Sequence, residues 1–261
     1  MQRYFLELFF KGTRYSGWQI QKNAVAVQQK VNEALGMLIN GSAVKPIETT
    51  GCGRTDTGVH AIQFFAHFDA PIIKDHKNFL YQLNGILPND ITILDLHVVD
   101  NDCHARYDAV SRTHQYYIHT YKNGFLEEFS GWYDLKFDVS LMQKAADILL
   151  KHDDFNSFCK TRAQSKTSLC KVTHAKWSEN NGGLMFEITA DRFLRGMVRA
   201  LIGTMTDVGI GKINLNDFEN IIAARNRRKA GHAAPACGLY LTKIVYPFLN
   251  IKSKNLLPHQ L

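Results

Sequence analysis

The order of periodicities along the chain restricts its fold more than any other feature. Runs with strand character sit next to one another in sequence, and helical runs fall between them without the regular alternation of a parallel sheet. Arg3 to Phe10 reads as a strand with two apolar faces broken only by Glu7, and Lys11 to Gly17 as a turn-rich loop. Val27, Val31, Leu35 and Leu38 recur at spacings of four and three, an amphipathic helix with Gly41 placed to end it. Ile62 to Asp69 alternates Ile62, Phe64, Ala66 and Phe68 against Gln63, His67 and Asp69, a strand with one polar-tending face. Phe79 to Leu87 suggests a short helix stopped by Pro88, and Ile91 to Val99 another strand. Farther on, Gln115 to Tyr121 is strand-like, and Asp138 can cap a helix carrying Leu141, Met142, Ala145, Ile148 and Leu149. Val172 to Ser178 and Leu184 to Ala190 form a hairpin pattern around Asn180-Asn181-Gly182-Gly183. Helices from about Arg192 to Val208 and from about Asn216 to Arg228 precede a last strand near Leu239 to Val245. These runs predict an α+β chain of two similar sub-domains, residues 1–104 and 105–248, followed by a patternless tail, 249–261.

The 261 residues, 45% hydrophobic and 21% charged, are enough to bury a substantial core and exclude a disordered chain. No apolar run approaches the roughly 18–20 residues that span a bilayer, and Glu7 stands where a signal peptide needs an apolar core, so a cytoplasmic protein is expected. The five cysteines, Cys52, Cys103, Cys159, Cys170 and Cys237, are dispersed without a C-x-x-C pair, which suits structural thiols in a reducing compartment. Cys159, Cys170 and His174 lack the close ligand pairing of a zinc site, and no metal site is expected. Lys and Arg number 31 against 24 Asp and Glu, a net +7, which permits a polyanion partner without requiring one.

Four segments could carry chemistry. In Thr49 to Ala61, three glycines and four threonines surround Arg54 and Asp56 just before a strand. Arg54 can pair with phosphate or hold Asp56 ionised, so the segment reads either as a phosphate-binding loop or as a hairpin loop with an Asp turn. It departs from the dinucleotide fingerprint, with Asp56 where a third glycine belongs, and no Gly-Lys-Ser/Thr follows. On a helix, Arg192, Arg195 and Arg199 would fall within roughly 60° of one another, beside Gly196 and Gly203. That face suits a polyanion backbone, or is a solvated basic face. Arg225, Arg227, Arg228 and Lys229 are four cations in five residues, which either contact phosphate or answer a helix dipole. His104-Ala105-Arg106-Tyr107 through Arg112-Thr113-His114-Gln115-Tyr116-Tyr117 mixes cations with rings, the composition that stacks nucleotides or fills a core.

Together these pieces resemble the tRNA pseudouridine synthase A family. The resemblance rests on Tyr15-Ser16-Gly17-Trp18-Gln19, Gly53-Arg54-Thr55-Asp56-Thr57-Gly58-Val59-His60-Ala61, His104-Ala105-Arg106-Tyr107, Met197-Val198-Arg199 and Gly238-Leu239-Tyr240-Leu241. These occur in the family's order and cover residues 4 to about 247. The resemblance implies isomerisation of uridine to pseudouridine at positions 38, 39 and 40 in the anticodon stem–loop of tRNA, with no cofactor or metal. The N1–C1′ bond would break, the uracil rotate and C5 join C1′. Asp56 would be the catalytic aspartate, acting as nucleophile or base. Arg54 would help displace the flipped base from the stem, and Arg199 would pair with Asp56 and keep it charged.

One departure concerns the family's Arg-x-Tyr-x-Tyr pattern, where this chain reads Arg112-Thr113-His114-Gln115-Tyr116. His114 takes the place of the usual active-site tyrosine. Imidazole can still stack on uracil, with a charge that depends on pH, and Tyr116 two residues on could compensate. Leu239 and Leu241 would line the apolar wall of the uracil pocket, and Arg192, Arg195, Arg225, Arg227, Arg228 and Lys229 would bind tRNA. The implied architecture is two α/β sub-domains with mainly antiparallel sheets flanked by helices, meeting in a central basic cleft and working as a homodimer. The rival reading is a non-catalytic RNA-binding protein on the same fold. A hydrolase or metal enzyme is more distant, since the eleven histidines show no H-E-x-x-H or comparable pair.

Overall fold

A computed structural model describes residues 1–160, 167–180 and 182–250. Its described residues divide into two units, Met1–Val110 together with residues 241–250, and Ser111–Tyr240. The junction thus falls a few residues beyond 104, and the last strand, from Leu241, belongs to the first unit.

The first unit runs β1 (Gln2–Phe10), α1 (Val27–Asn40), β2 (Thr50–Gly51), β3 (His60–Ala70), α2 (His76–Ile86) and β4 (Ile91–Val99). β1 lies between β3 and β4 and pairs antiparallel with both, and β2 pairs with β3. A central strand is covered on both sides, which is why Tyr4, Leu6 and Leu8 on one face and Phe5 and Glu7 on the other are all buried. In α1 the four–three spacing does what the pattern requires, since Val27, Val31, Ala34 and Leu35 are buried. Gly41 follows it at φ 68°, returning its N–H to the Gly36 carbonyl. The polar-tending face expected of Ile62 to Asp69 is buried in part, for Gln63 and His67 are almost fully covered. Each has a partner that makes burial tolerable. The Gln63 amide donates to Glu7 at 2.8 Å, and His67 Nδ1 accepts the Ala105 N–H at 3.0 Å.

The second unit runs β5 (Ser111–His119), β6 (Gly131–Trp132), α3 (Val139–Leu149), β7 (Val172–Asn180), β8 (Gly183–Ala190), α4 (Met197–Gly209) and α5 (Leu215–Ala223). β8 pairs antiparallel with β5 and β7, while the short β6 runs parallel to β5. The β7–β8 hairpin sits where the glycines place it, with Gly182 at φ 83°; Asn181 lies outside the described residues. Asp138 caps α3 by accepting the Leu141 N–H at 3.0 Å. Gln143 of that helix accepts the Trp177 N–H at 2.7 Å and so fastens α3 to β7.

Two helices are shorter than expected. Arg192 and Arg195 precede α4, because Gly196 takes φ 72° as its N-cap and the chain before it is held in other bonds. Asp191 accepts the Arg192 and Lys171 N–H groups, and the Arg195 carbonyl accepts from Lys160. The expected helical face of Arg192, Arg195 and Arg199 is therefore not formed. α5 ends at Ala223, so residues 225–229 lie in turns beyond it. Finally β9 (Leu239–Val245) carries the chain back, and its residues from Leu241 on lie beside β3. Phe248 packs edge-on against Phe5, so the tail is attached at its start, and residues 251–261 lie outside the described residues.

Candidate active site

The segment with Arg54 and Asp56 is the loop joining β2 to β3, a hairpin connection as the plainer reading held. It is held chiefly by the turn-rich loop after β1, which the sequence separates from it by some forty residues. Thr55 Oγ1 accepts the Trp18 N–H at 2.9 Å, the Gly58 N–H donates to the Tyr15 carbonyl at 3.2 Å, and His60 Nδ1 accepts the Gly12 N–H at 3.0 Å. Gly17 is required at its position, since it adopts φ 86° and a Cβ there would strike the Thr55 carbonyl. Within the loop the Asp56 carbonyl accepts the Val59 N–H, which turns the chain so that Asp56 is half-buried and Arg54 is exposed. The Tyr15–Gln19 and Gly53–Ala61 motifs are thus one physical object, a carboxylate and a guanidinium presented from a doubly braced loop.

His104 to Tyr107 forms a turn in the same unit. The Tyr246 hydroxyl donates to the Ala105 carbonyl, and His67 accepts from its N–H. Tyr107 is 75% exposed, with the His104 ring at 4.3 Å and the Arg106 guanidinium 5.8 Å from its centroid.

In the second unit His114 stands on β5 with its ring edge-on to Phe193 at 4.7 Å. Burial, with the Arg112 charge adding to it, pushes its pKa down to about 3. The imidazole is therefore neutral at ordinary pH, which corrects the expectation of a pH-dependent charge. Its Nδ1 is buried without a hydrogen-bond partner among the described residues. Tyr116 shares that strand face but is fully buried, with Gly131 and Gly238 packed so tightly on its ring that a Cβ at either would collide with it. Burial raises its pKa well above the usual phenol value, so Tyr116 is a core phenol and not an exposed substitute for His114.

Arg199 projects from α4, and its Nε donates to the Ala234 carbonyl at 2.7 Å while the Ala234 N–H returns to the Arg199 carbonyl. Gly203, one helical turn on, lets the His232 carbonyl approach where any side chain would clash. Leu239 and Leu241 are buried in β9, in the second and first unit respectively. Of the basic cluster, Arg225 pairs with Asp154 at 2.8 Å and holds φ 48°, and Arg227 donates to the Ala230 and Gly231 carbonyls. Arg228 and Lys229 are exposed. Phe193 and Tyr133, beside His114 and Tyr116, escaped the sequence reading, since neither belongs to a motif and each is defined by what packs on it.

A family model described as tRNA pseudouridine synthase matches residues 145–247. The chain is 44% identical over 251 residues to a tRNA pseudouridine synthase A of Porphyromonas gingivalis, covering 95% of this chain and 98% of the relative. It is 42% identical to that of Bacteroides fragilis, over 95% and 97%, and 33% identical to that of Bacillus subtilis, over 91% and 96%.

Proposed function

Because the chain belongs to the tRNA pseudouridine synthase A family, we propose that it isomerises uridine to pseudouridine in tRNA, with Asp56 as the reacting carboxylate. The observation that carries the assignment is the loop of Arg54 and Asp56, braced by the Tyr15–Trp18 segment, in a chain whose relatives match it along nearly its whole length. The positions modified are 38, 39 and 40 of the anticodon stem–loop, as the resemblance to the family implies.

The reaction conserves atoms. The N1–C1′ bond breaks, the uracil turns in place, C5 bonds to C1′, the C5 hydrogen leaves as a proton and N1 takes one up. No oxidant or reductant is consumed. Asp56 can serve by adding to C1′ or to the base, or by taking the C2′ proton. Arg54, exposed at the loop tip, suits displacement of the flipped base from the stem. Arg199 is the cation that, by the resemblance to the family, keeps Asp56 charged. A neutral His114 offers an uncharged ring for uracil, with Leu239 and Leu241 as the apolar wall. Arg192, Arg195, Arg225, Arg227, Arg228 and Lys229 supply the charge for tRNA, and the enzyme works as a homodimer in the cytoplasm.

The test uses tRNA tritiated at uracil C5. Wild type releases tritium to water, whereas Asp56→Ala slows release by roughly 10²–10⁴-fold or more while still binding tRNA. Binding without release by the wild type would leave the non-catalytic reading in its place.

A further inference from the structure

We propose that Glu7, Asp95 and His97 form a binding site for one divalent transition-metal cation, Zn²⁺ fitting best. The site lies in the first unit and does not depend on the tRNA reading.

The antiparallel register of β1 and β4 sets Glu7 opposite Asp95 and Phe5 opposite His97, so the three polar side chains share one face of two adjoining strands. One ligand atom from each lies within 4.8 Å of the others. Glu7 is only 4% exposed and its carboxylate is tightly oriented. The Ile244 N–H donates to Gln63 Oε1 at 2.9 Å, which turns the Gln63 amide so that its Nε2 donates to Glu7 Oε1 at 2.8 Å. That leaves Glu7 Oε2 directed at His97 Nε2 across 3.7 Å, too far for a hydrogen bond. His97 Nε2 is itself buried and has no hydrogen-bond partner among the described residues. Asp95 is fixed in turn by the Leu96 N–H, which donates to Oδ1 at 2.8 Å.

This is a ligand set with its supporting bonds in place. Gln63 orients Glu7 as an outer partner orients a metal ligand. Its amide is neutral, so it satisfies the geometry of a buried carboxylate without balancing its charge. A dication balances two carboxylates. Zinc–ligand bonds of about 2.0–2.2 Å put neighbouring ligand atoms roughly 3.4 Å apart, so the 3.7 Å Glu7–His97 gap needs a small contraction, and Asp95, within 4.8 Å of both, the larger movement. One imidazole and two carboxylates suit a borderline cation better than Mg²⁺, which favours oxygen and retained water. Asp95 is partly exposed, and its side of the cluster is where a cation and a bound water would enter. The cation would tie β4, the edge strand of its unit's sheet, to β1.

The experiment takes the full, untagged chain, strips it with a chelator and dialyses it against Zn²⁺ or Mg²⁺. Wild type is expected to hold one Zn²⁺ per chain and to melt at higher temperature with Zn²⁺ but not with Mg²⁺. Asp95→Asn and His97→Gln should weaken Zn²⁺ binding tenfold or more and lose the shift. Asp95 is partly exposed, so its variant keeps the comparison sound if His97→Gln folds poorly. A wild type that binds no Zn²⁺, or Zn²⁺ held equally by both variants, as it would be at the cysteines, overturns the site.

Discussion

At the scale of single residues, His67 couples folding to pH. Its ring stacks on Phe5 at 5.9 Å, and its Nδ1 must stay unprotonated to accept the Ala105 N–H. Burial first, then the charges of His104 and Arg3, push its pKa down to about 4. The folded value thus lies below the unfolded one, so the unfolded chain takes up the proton first. Stability from this group is whole above pH 6.5 and falls as the pH drops towards 4, by about 2 kcal/mol at pH 5. Urea titrations at pH 7 and pH 5 should show that loss in wild type. It should be smaller by about that amount in His67→Gln, whose amide oxygen can still accept from Ala105; an unchanged loss would detach His67 from acid sensitivity. His114 acts with the same sign, so part of the slope remains. Alternation over Ile62 to Asp69 marked His67 as polar-facing, and nothing local could reveal that Ala105 and Tyr246 close over that face.

At the scale of elements, helix ends decide where charge is placed. α5 begins with a complete capping box: the Asn214 side chain accepts the Asp217 N–H, and Asp217 accepts the Asn214 N–H. Asn214→Ala should lower stability by about 1 kcal/mol, read as a lower urea midpoint at unchanged slope. An unaltered midpoint would mean that packing of Phe218 and Ile222 alone holds the helix. The sequence extends α5 to about Arg228 because arginine is a good helix former. Tertiary bonds overrule that propensity, since Asn156 donates to the Arg225 carbonyl and Asp154 takes its guanidinium. At α4 Gly196 stops the helix where the Arg192–Arg199 periodicity would have carried it through.

At the scale of the whole molecule, the net charge of +7 becomes a matter of which cations stay available to a polyanion. Arg228 is exposed, whereas Arg225 is tied to Asp154 and Arg227 to its own turn. Arg228→Ala should weaken tRNA binding and make the slope of log K against log salt shallower by about 0.7–0.9 without lowering stability. A slope equal to that of wild type would remove Arg228 from the interface. The family and the order of elements were legible in the sequence, because motif spacing, strand alternation and turn glycines are local properties of the chain. α1 with Gly41 and the β7–β8 hairpin follow from such local rules alone. Only the tertiary structure decided that Tyr15–Trp18 braces the Asp56 loop, that Tyr116 is sealed in a core, that His114 is neutral, and that Glu7, Asp95 and His97 converge. Those outcomes depend on which distant segment covers each face, and burial and electrostatic environment are set by such neighbours, which local periodicity does not encode.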